Sequence, residues 1–406
     1  MDTGNTAWLL VATALVMVML PGLALFYGGL VRRKNVLSTI MHSFFGLALV
    51  SVVWVLVGFS LAFGTDVGGL GLVGGLDFAG FMNVGLEPSA VYGTTIPFVL
   101  FAAFQLMFAA ITPALITGAF AERKRFASFV IFTVLWSVLV YSPIAHWVWS
   151  ADGWLYRLGA LDFAGGTVVH ASSGVSALIV ALLIGRRVAN GDSMEPHDIP
   201  MTVLGAGLLW FGWFGFNAGS ALAADGLAAN ALLVTNTAAG AATITWVLAS
   251  YLHKRKVSVV GAACGAVAGL VAVTPASGFV TAGGALLIGL FVGGLCYSAT
   301  LLRSRLKIDD ALDVFAVHGV GGTFGAVATG VFATTAINPL GRGLIDGNPG
   351  QVLTQTVAIG ATIAYAVIAT FVIIKIVDLI LGIRVKSDQE EVGLDLAVHG
   401  EVAYQS

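Results

Sequence analysis

Long apolar stretches, separated by short polar connections, run along nearly the whole chain of 406 residues. A helix that crosses the hydrocarbon core of a bilayer needs about 20 predominantly apolar residues. We predict eleven transmembrane helices, and several are longer than the minimum, which indicates tilt. Their approximate ranges are 6–31, 36–63, 96–120, 126–148, 163–185, 200–217, 229–251, 257–275, 281–302, 314–335 and 351–381.

The basic residues fall almost entirely on alternate connections. Sixteen of the 19 lysine and arginine residues follow the first, third, fifth, seventh, ninth and eleventh predicted helices. The others are Arg157 and Arg342 on the opposite side, and Lys375 inside the last stretch. Because positively charged connections stay in the cytoplasm, the pattern predicts an outside N-terminus, a cytoplasmic C-terminus and an odd number of helices.

Two predicted helices carry similar short segments. His170 in the fifth helix and His318 in the tenth each follow a valine and precede small residues, and each has an aspartate upstream, Asp162 or Asp313. The predicted orientation makes these two helices run in opposite directions. We therefore predict an inverted five-helix repeat with a substrate path near the midplane, and an eleventh, long helix that packs outside the repeat.

Composition supports a membrane protein and excludes several function classes. Hydrophobic residues make up 58% of the chain and charged residues 10%, against about 25% charged in soluble proteins. The net charge of −2 gives no basis for nucleic-acid binding. Cys264 and Cys296 lie in apolar stretches, so we expect buried thiols rather than a disulfide or metal pair. We predict no cofactor, no metal and no enzyme activity.

His170 and His318 are the deepest ionisable residues in the predicted bundle. An ionisable group inside a membrane is costly and usually functional. The structural alternative is two unrelated core histidines, each hydrogen-bonded to its own neighbour, and the residues alone leave both interpretations open. A metal or haem site is a weaker interpretation because nearby cysteine or carboxylate ligands and further histidines are missing.

Other polar residues have ordinary structural interpretations. Asp162 is expected to cap the helix that follows it. His42 and His146 are expected to be core histidines without a specific partner. Ion pairs at the surface, with the neighbouring basic cluster, are expected for Asp309, Asp310 and Asp313.

Aromatic residues gather near the outer ends of several predicted helices. Trp149 lies where an interfacial tryptophan is expected. Phe104 and Phe108 share one helix face. Phe216 lies in a crowded aromatic segment at the end of the sixth helix. Taken singly, each of these residues is more typical of packing than of function.

Specific segments recur along the chain in a recognisable order. They are PGLALFYGG at 21–29, FQ at 104–105 leading to AER at 121–123, PIAHWVW at 143–149, GALDFAGGTVVH at 159–170, WFGFNAGS at 213–220 and DVFAVHG at 313–319. Together they resemble the Amt/Mep/Rh ammonium transporter family over nearly the whole chain.

The resemblance implies a role for each matching residue. Phe108 and Phe216 would form a stacked aromatic gate, and His170 and His318 would line the pore. Asp162 would support the outer site, as structure or in deprotonation of the substrate. The implied residues of that outer ammonium site are Trp149, Ser220, Phe108, Phe104 and Asp162.

These residue types suit ammonium. An aromatic face attracts a cation by up to about 2 kcal/mol when both are desolvated. Carrying the bare charge through an apolar pore costs about 10 kcal/mol or more. If lysine's pKa of about 10.4 is an upper limit, deprotonation at neutral pH costs at most about 4.6 kcal/mol. Neutral ammonia can then pass, whereas potassium has no proton to lose. The proton either follows the ammonia separately or does not cross.

The polar segment 383–406 after the transmembrane domain, 1–382, is predicted to be a cytoplasmic tail. Composition alone predicts a short solvated segment. The resemblance implies a regulatory tail in a homotrimer of the prokaryotic plasma (inner) membrane, and a PII-type signal protein as partner. The implied tail residues are Gly393, Leu394, Asp395, His399, Gly400, Glu401 and Tyr404.

Two other functions remain open from the sequence. One is a channel for another small neutral solute, such as carbon dioxide or methylamine. The other is an ammonium sensor with little flux, although such sensors usually carry a long signalling domain and only about 25 residues follow the last helix here. Methylammonium is the expected substrate analogue.

Overall fold

The computed structural model describes residues 1–188 and 194–404, and this part of the chain contains helices and no β-strand. The all-helical prediction is confirmed. In chain order, the main apolar helices α1–α11 are Thr3–Leu30, Arg33–Phe63, Phe98–Phe120, Phe126–Leu158, Gly166–Ile184, Ile199–Gly219, Gly226–Lys254, Val259–Val273, Ala282–Arg305, Phe315–Phe332 and Gly350–Leu381.

Ten of these helices are long and apolar enough to cross a membrane. The remaining one, α8, has 15 residues and continues into the buried turns at 274–280. Each predicted stretch coincides with one helix, and the bounds differ by at most three residues except in α4, which ends ten residues after the predicted end. A turn follows Trp149 within α4.

Close packing between α5 and α10 brings the two histidine-bearing segments together. A Cβ atom on Gly174 would lie 2.0 Å from the backbone nitrogen of Gly319, so the two helices touch backbone to backbone. Small residues permit this approach between membrane helices. Both helices begin with a wide π-helical turn, Gly166–Ala171 in α5 and Phe315–Val320 in α10.

The connection 64–97 folds over one end of the bundle and gives His146 a partner. His146 Nδ1 lies 3.0 Å from the Ala62 carbonyl oxygen, and its Nε2 lies 3.3 Å from an Asp66 carboxylate oxygen. The expectation that His146 lacks a specific partner is therefore wrong. The carboxylate comes from a loop whose position the hydrophobic pattern does not determine.

His42 is a buried histidine of the expected kind. Its two ring nitrogens have no hydrogen-bond partner among the described residues. The ring packs against Phe120, Phe126 and Phe129 at centroid distances of 5.5, 6.2 and 4.6 Å. It lies outside the α5–α10 contact, which makes it a useful control for the other two histidines.

Buried ion pairs join the connections at the end of the bundle that carries the basic clusters. Glu122 receives a hydrogen bond from Arg32 Nε at 2.6 Å and lies 3.7 Å from Arg187. Arg187 also pairs with Asp309 at 2.8 Å. Burial alone would raise the pKa of Asp309, but the hydrogen bonds and charge of Arg187 outweigh it and lower the pKa to about 2. The predicted surface pair of Asp309 is thus a largely buried one.

The tail packs against the helices, contrary to the solvated segment that composition alone predicts. Asp395 accepts hydrogen bonds from the backbone N–H groups of Leu37 and Ser38 at 3.0 and 2.8 Å. The Leu394 N–H donates to the Asn35 side chain at 2.8 Å.

The remaining implied tail residues lie in the same docked segment. Gly393 and Gly400 have positive φ angles of 104° and 68°. The His399 ring contacts Phe126. The Glu401 N–H donates to the Asp395 carbonyl oxygen, and Tyr404 contacts His197. Residues 405–406 lie outside the described part.

Candidate functional site

The structure places the two candidate pore histidines in direct contact. His170 Nδ1 and His318 Nδ1 are 3.2 Å apart, and the ring planes differ by 24°. The two residues are 1% and 4% exposed. The alternative in which each ring bonds to its own separate neighbour does not describe this geometry, because the two rings share one hydrogen bond.

A small cavity adjoins the histidine pair. It has room for about one water-sized molecule. Apart from the imidazoles and the Trp213 indole, its walls are aliphatic or phenyl groups. The lining residues are Leu23, Phe26, Ile111, Leu115, His170, Leu209, Trp213, Val267 and His318.

Two phenylalanine rings, tilted by 36° to each other, lie on one side of the histidines. The Phe108 and Phe216 centroids are 4.2 Å apart, and both residues are buried. Phe216 lies 5.9 Å from the His170 ring. The candidate gate is thus continuous with the candidate pore.

On the other side of the phenylalanine pair lies an open pocket of about 180 Å³. The Trp149 ring meets Phe108 edge to face at 5.8 Å, and Trp149 Nε1 donates to the Asp162 carbonyl oxygen at 3.0 Å. Ser220 also lines the pocket and donates its hydroxyl to the Phe216 carbonyl at 2.9 Å. Phe104 does not line this pocket; it packs behind Phe108 at 4.9 Å.

The Asp162 side chain is buried and points into the start of α5. Its two carboxylate oxygens accept four backbone N–H groups, at 2.7 to 3.1 Å. The donors are Gly165, Gly166, Thr167 and Val168. Burial raises the pKa of Asp162, and these donors oppose the rise. The predicted cap is confirmed, and the geometry is that of a structural anchor.

The counterpart of Asp162 in the second half is Asp310 rather than Asp313. Asp310 is buried and accepts the Phe315 N–H at 2.7 Å, just where α10 begins. Asp310 precedes its histidine by eight residues, as Asp162 does. Asp313 instead pairs with Arg303 at 2.6 Å. Asp313, which the sequence repeat pairs with Asp162, is therefore not its counterpart, because it precedes His318 by only five residues.

Sequence reasoning did not assign a role to Gln105. Its side chain lines the outer pocket, and its buried carbonyl oxygen has no hydrogen-bond partner in the described part of the chain. Gln105 and Phe108 are three residues apart on one helix, so they share a face. The three-residue spacing from Phe108 is the feature of the sequence that could have indicated Gln105 as a pocket residue.

A family model described as the Ammonium Transporter Family matches residues 7–404. This chain belongs to the ammonium transporter family. The resemblance is therefore confirmed, and the chain is a multi-pass membrane protein in a family of transporters rather than enzymes. The candidate site described above lies wholly within the matched residues.

Relatives of this family member cover its full length. An ammonium transporter of Bacillus subtilis is 51% identical over 407 residues, covering 100% of this chain and 99% of the relative. Ammonium transporter Amt1 of Archaeoglobus fulgidus is 48% identical over 405 residues and covers 100% of both chains.

Solved structures share the fold. Saccharomyces cerevisiae Mep2 has a TM-score of 0.89 and 40% identity, over 95% of this chain and 88% of Mep2. A sensor Amt protein has a TM-score of 0.88 and 30% identity, over 97% of this chain and 98% of the sensor.

Proposed function

We propose that this protein moves ammonium across the plasma membrane. It takes up the cation at the outer aromatic pocket, where ammonium gives its proton either to water or to a proton path along the histidine pair, and it passes neutral ammonia along an apolar path. The observation that carries the proposal is the contact between His170 and His318 in a small, otherwise largely apolar cavity of an ammonium transporter family member.

The outer pocket has the groups that a small cation needs. The rings of Trp149 and Phe108 meet at 89°, and a desolvated cation gains up to about 2 kcal/mol from such a face. The Ser220 hydroxyl donates its proton to the Phe216 carbonyl oxygen. The lone pairs of the Ser220 oxygen therefore remain available to accept a hydrogen bond from ammonium. This pocket explains recruitment, but it does not distinguish ammonium from potassium.

Selection arises at the gate. The adjacent rings of Phe108 and Phe216 carry no polar group that could replace the hydration shell of an ion. Deprotonation costs at most about 4.6 kcal/mol at neutral pH if ammonium has a pKa no higher than that of lysine. Moving a bare charge costs about 10 kcal/mol or more. Potassium cannot lose a proton, so it faces the larger cost.

The histidine pair matches ammonia in hydrogen-bonding type. In the contact between His170 and His318, one Nδ1 donates and the other accepts when both rings are neutral. One Nε2 atom is then an acceptor and the other a donor. Ammonia both donates and accepts, so it is complementary to the pair. The direct contact between the two Nδ1 atoms also offers a route for a proton from one ring to the other; transport proceeds with or without separate proton movement.

The membrane topology is part of the proposal. We infer eleven spans, an outside N-terminus, a cytoplasmic tail and an inverted five-helix repeat with α11 outside it. The matched π-helical turns and histidines of α5 and α10 support the repeat. Protease added to the outside of sealed, right-side-out vesicles tests the orientation. Cleavage of the tail under these conditions would contradict a cytoplasmic tail.

The assembly is a homotrimer with one path per subunit, and its cytoplasmic face binds a PII-type signal protein. Both features rest on the family resemblance. Light scattering of the purified protein measures the subunit number, and a monomer or dimer would contradict the trimer. A pull-down with a PII protein tests the partner.

A sensor is the second candidate because a sensor Amt protein shares the fold. The apolar path beyond the outer pocket favours transport, since binding alone needs no path. A channel for another neutral solute has no specific observation in its favour, because the aromatic pocket is suited to a cation.

Proteoliposomes test the proposed function. Ammonium is expected to evoke uptake, and methylammonium serves as the traceable analogue. Current with uptake indicates proton-coupled movement, and uptake without current indicates neutral ammonia. Growth of a strain that lacks ammonium uptake separates transporter from sensor: no rescue on limiting ammonium, together with tight ammonium binding, would favour the sensor.

Gln105→Leu is expected to raise the KM for ammonium about tenfold and to change kcat less than twofold. Gln105 lines the outer pocket and its carbonyl oxygen has no partner in the described part of the chain, so we expect it to accept from ammonium, and a hydrogen bond to a charged group contributes about 1.5–3 kcal/mol. Initial uptake rates over a range of concentrations measure both constants. Gln105→Glu keeps an acceptor and is expected to retain tight binding. Equal KM values in the wild type and Gln105→Leu would exclude this contact.

Asp395→Ala is expected to release the tail. It removes the acceptor of two N–H groups at the start of α2, a contact typical of a helix cap, which contributes about 1 kcal/mol. Hydrogen exchange in 393–404 is expected to become several-fold faster. Asp388→Ala, an exposed change in the same tail, is the control. If uptake stays unchanged while the tail is released, the tail does not regulate transport.

A further inference from the structure

Another cavity lies at the surface of the helix bundle, and neither His170 nor His318 lines it. It has a volume of about 640 Å³ and is formed by α5, α9, α10 and α11. Thr323 is the only residue with a polar side chain in its lining. We call it the lateral groove; its walls include Val175, Leu178, Phe324, Val327, Ile363 and Val367.

The lateral groove lies at the depth of the hydrocarbon core. Helix α11 has 32 residues and is about 48 Å long, which exceeds the core thickness of about 30 Å. Ile363 and Val367 lie within about 4 Å of the midpoint of α11 along its axis. Exposed apolar side chains continue along this helix, with Ile368 64% and Leu379 89% exposed. A surface of this kind is solvated by acyl chains.

A single cation lies beyond one end of the lateral groove. Lys375 follows Ile363, Val367 and Phe371 at intervals of four residues, so it continues the same stripe of α11. It is exposed, and among the described residues its only partner is the Phe371 ring, whose centroid lies 5.8 Å from Nζ. It has no carboxylate partner in that part of the chain.

The spacing between groove and cation matches one leaflet of a bilayer. Lys375 is about 12 Å from Val367 along the helix axis and about 14 Å from the helix midpoint. Half of the hydrocarbon core is about 15 Å. The ammonium group therefore reaches the headgroup level by extending its stem outward, while the groove lies near the tail ends of the same leaflet.

We propose that the lateral groove and Lys375 form a binding site for an anionic glycerophospholipid. One acyl chain occupies the groove, and the phosphate pairs with the Lys375 ammonium. An anionic lipid is favoured over a zwitterionic one because choline places a positive charge beside the phosphate. One lysine near an anionic headgroup contributes about fivefold in affinity. The apolar lining and the missing carboxylate partner both point to this occupant.

Native mass spectrometry of the intact assembly, titrated with phosphatidylglycerol or phosphatidylcholine, tests the site. The wild type is expected to retain phosphatidylglycerol several-fold more strongly. Lys375→Gln is expected to weaken phosphatidylglycerol binding about fivefold and to leave phosphatidylcholine unchanged. Val327→Trp fills the groove and is expected to weaken both lipids. Lys256→Gln, at an exposed basic residue between α7 and α8, is the control and is expected to change neither lipid.

Two results would overturn the proposal. The first is equal phosphatidylglycerol binding by Lys375→Gln and by the wild type. Because Lys375 is exposed, this substitution is not expected to disturb the fold. The second is a disulfide-linked dimer of Thr323→Cys in native membranes, since a second copy would then cover the groove. Gel filtration of each variant shows whether the fold is retained.

Discussion

Replacing His170 or His318 with leucine is expected to lower ammonium flux at least about 100-fold, the lower range for losing a positioned acid–base group. Leucine keeps an apolar side chain of similar reach but removes the groups that bond to ammonia and to each other. Ammonium-evoked current and methylammonium uptake in proteoliposomes measure the loss. Selectivity over potassium is measured in the same preparation.

His42→Leu is the matched control for both variants. His42 is also a buried histidine, but it lies outside the α5–α10 contact, so its flux is expected to stay within about twofold of the wild type. The pair also predicts a stability pattern. Each single variant leaves one Nδ1 unpaired at a cost of about 1–3 kcal/mol, and the double variant removes that cost. Normal flux and selectivity in both single variants would eliminate the proposed role.

Asp162→Ala is expected to lower the free energy of unfolding by about 4 kcal/mol and to abolish transport. Four backbone N–H groups at the start of α5 lose a charged acceptor, and hydrogen bonds to charged groups contribute about 1.5–3 kcal/mol each without adding fully. Asp162→Asn keeps one acceptor oxygen and is expected to lose about half as much. Thermal unfolding in detergent, followed by tryptophan fluorescence, measures the difference.

Asp152→Ala provides the comparison for Asp162. Asp152 forms a half-exposed pair with Arg157 at 3.4 Å, so its loss is expected to cost less than about 1 kcal/mol. If Asp162 acts mainly as a proton acceptor, Asp162→Asn would retain wild-type stability and lose transport. That outcome would contradict the anchoring role that the four hydrogen bonds indicate.

The helices were predictable because the length of an apolar stretch is a local property of the chain. The contact between His170 and His318 was also within reach, since the matched segments on opposed helices indicated it. The partner of His146 was not, because Asp66 belongs to a loop whose course depends on packing against α4. The burial of Asp309 likewise depends on the connection that carries Glu122 and Arg187.

At the outer pocket, too, the sequence predicts some of the lining residues and not others. The resemblance named Trp149, Phe108 and Ser220, which line it, but also Phe104, which lies behind the pocket wall. Gln105 lines the pocket, although the resemblance, which includes it in a matching segment, gave it no role. Which of two neighbouring helix positions faces a pocket depends on the rotation of the helix, and a helix that is apolar on all sides does not reveal its rotation.

Helices α5 and α10 touch backbone to backbone where Gly174 meets Gly319. The positions of the two backbones, rather than of side chains, therefore set the spacing at the histidines. Each imidazole is anchored within about one helical turn of a point where two backbones abut. Changes in side-chain packing elsewhere leave this spacing unchanged. A methyl group at position 174 would push α5 and α10 apart. In the proposed path, two touching backbones therefore set the width at the histidines, and we expect transport to proceed without rocking of one half of the bundle against the other.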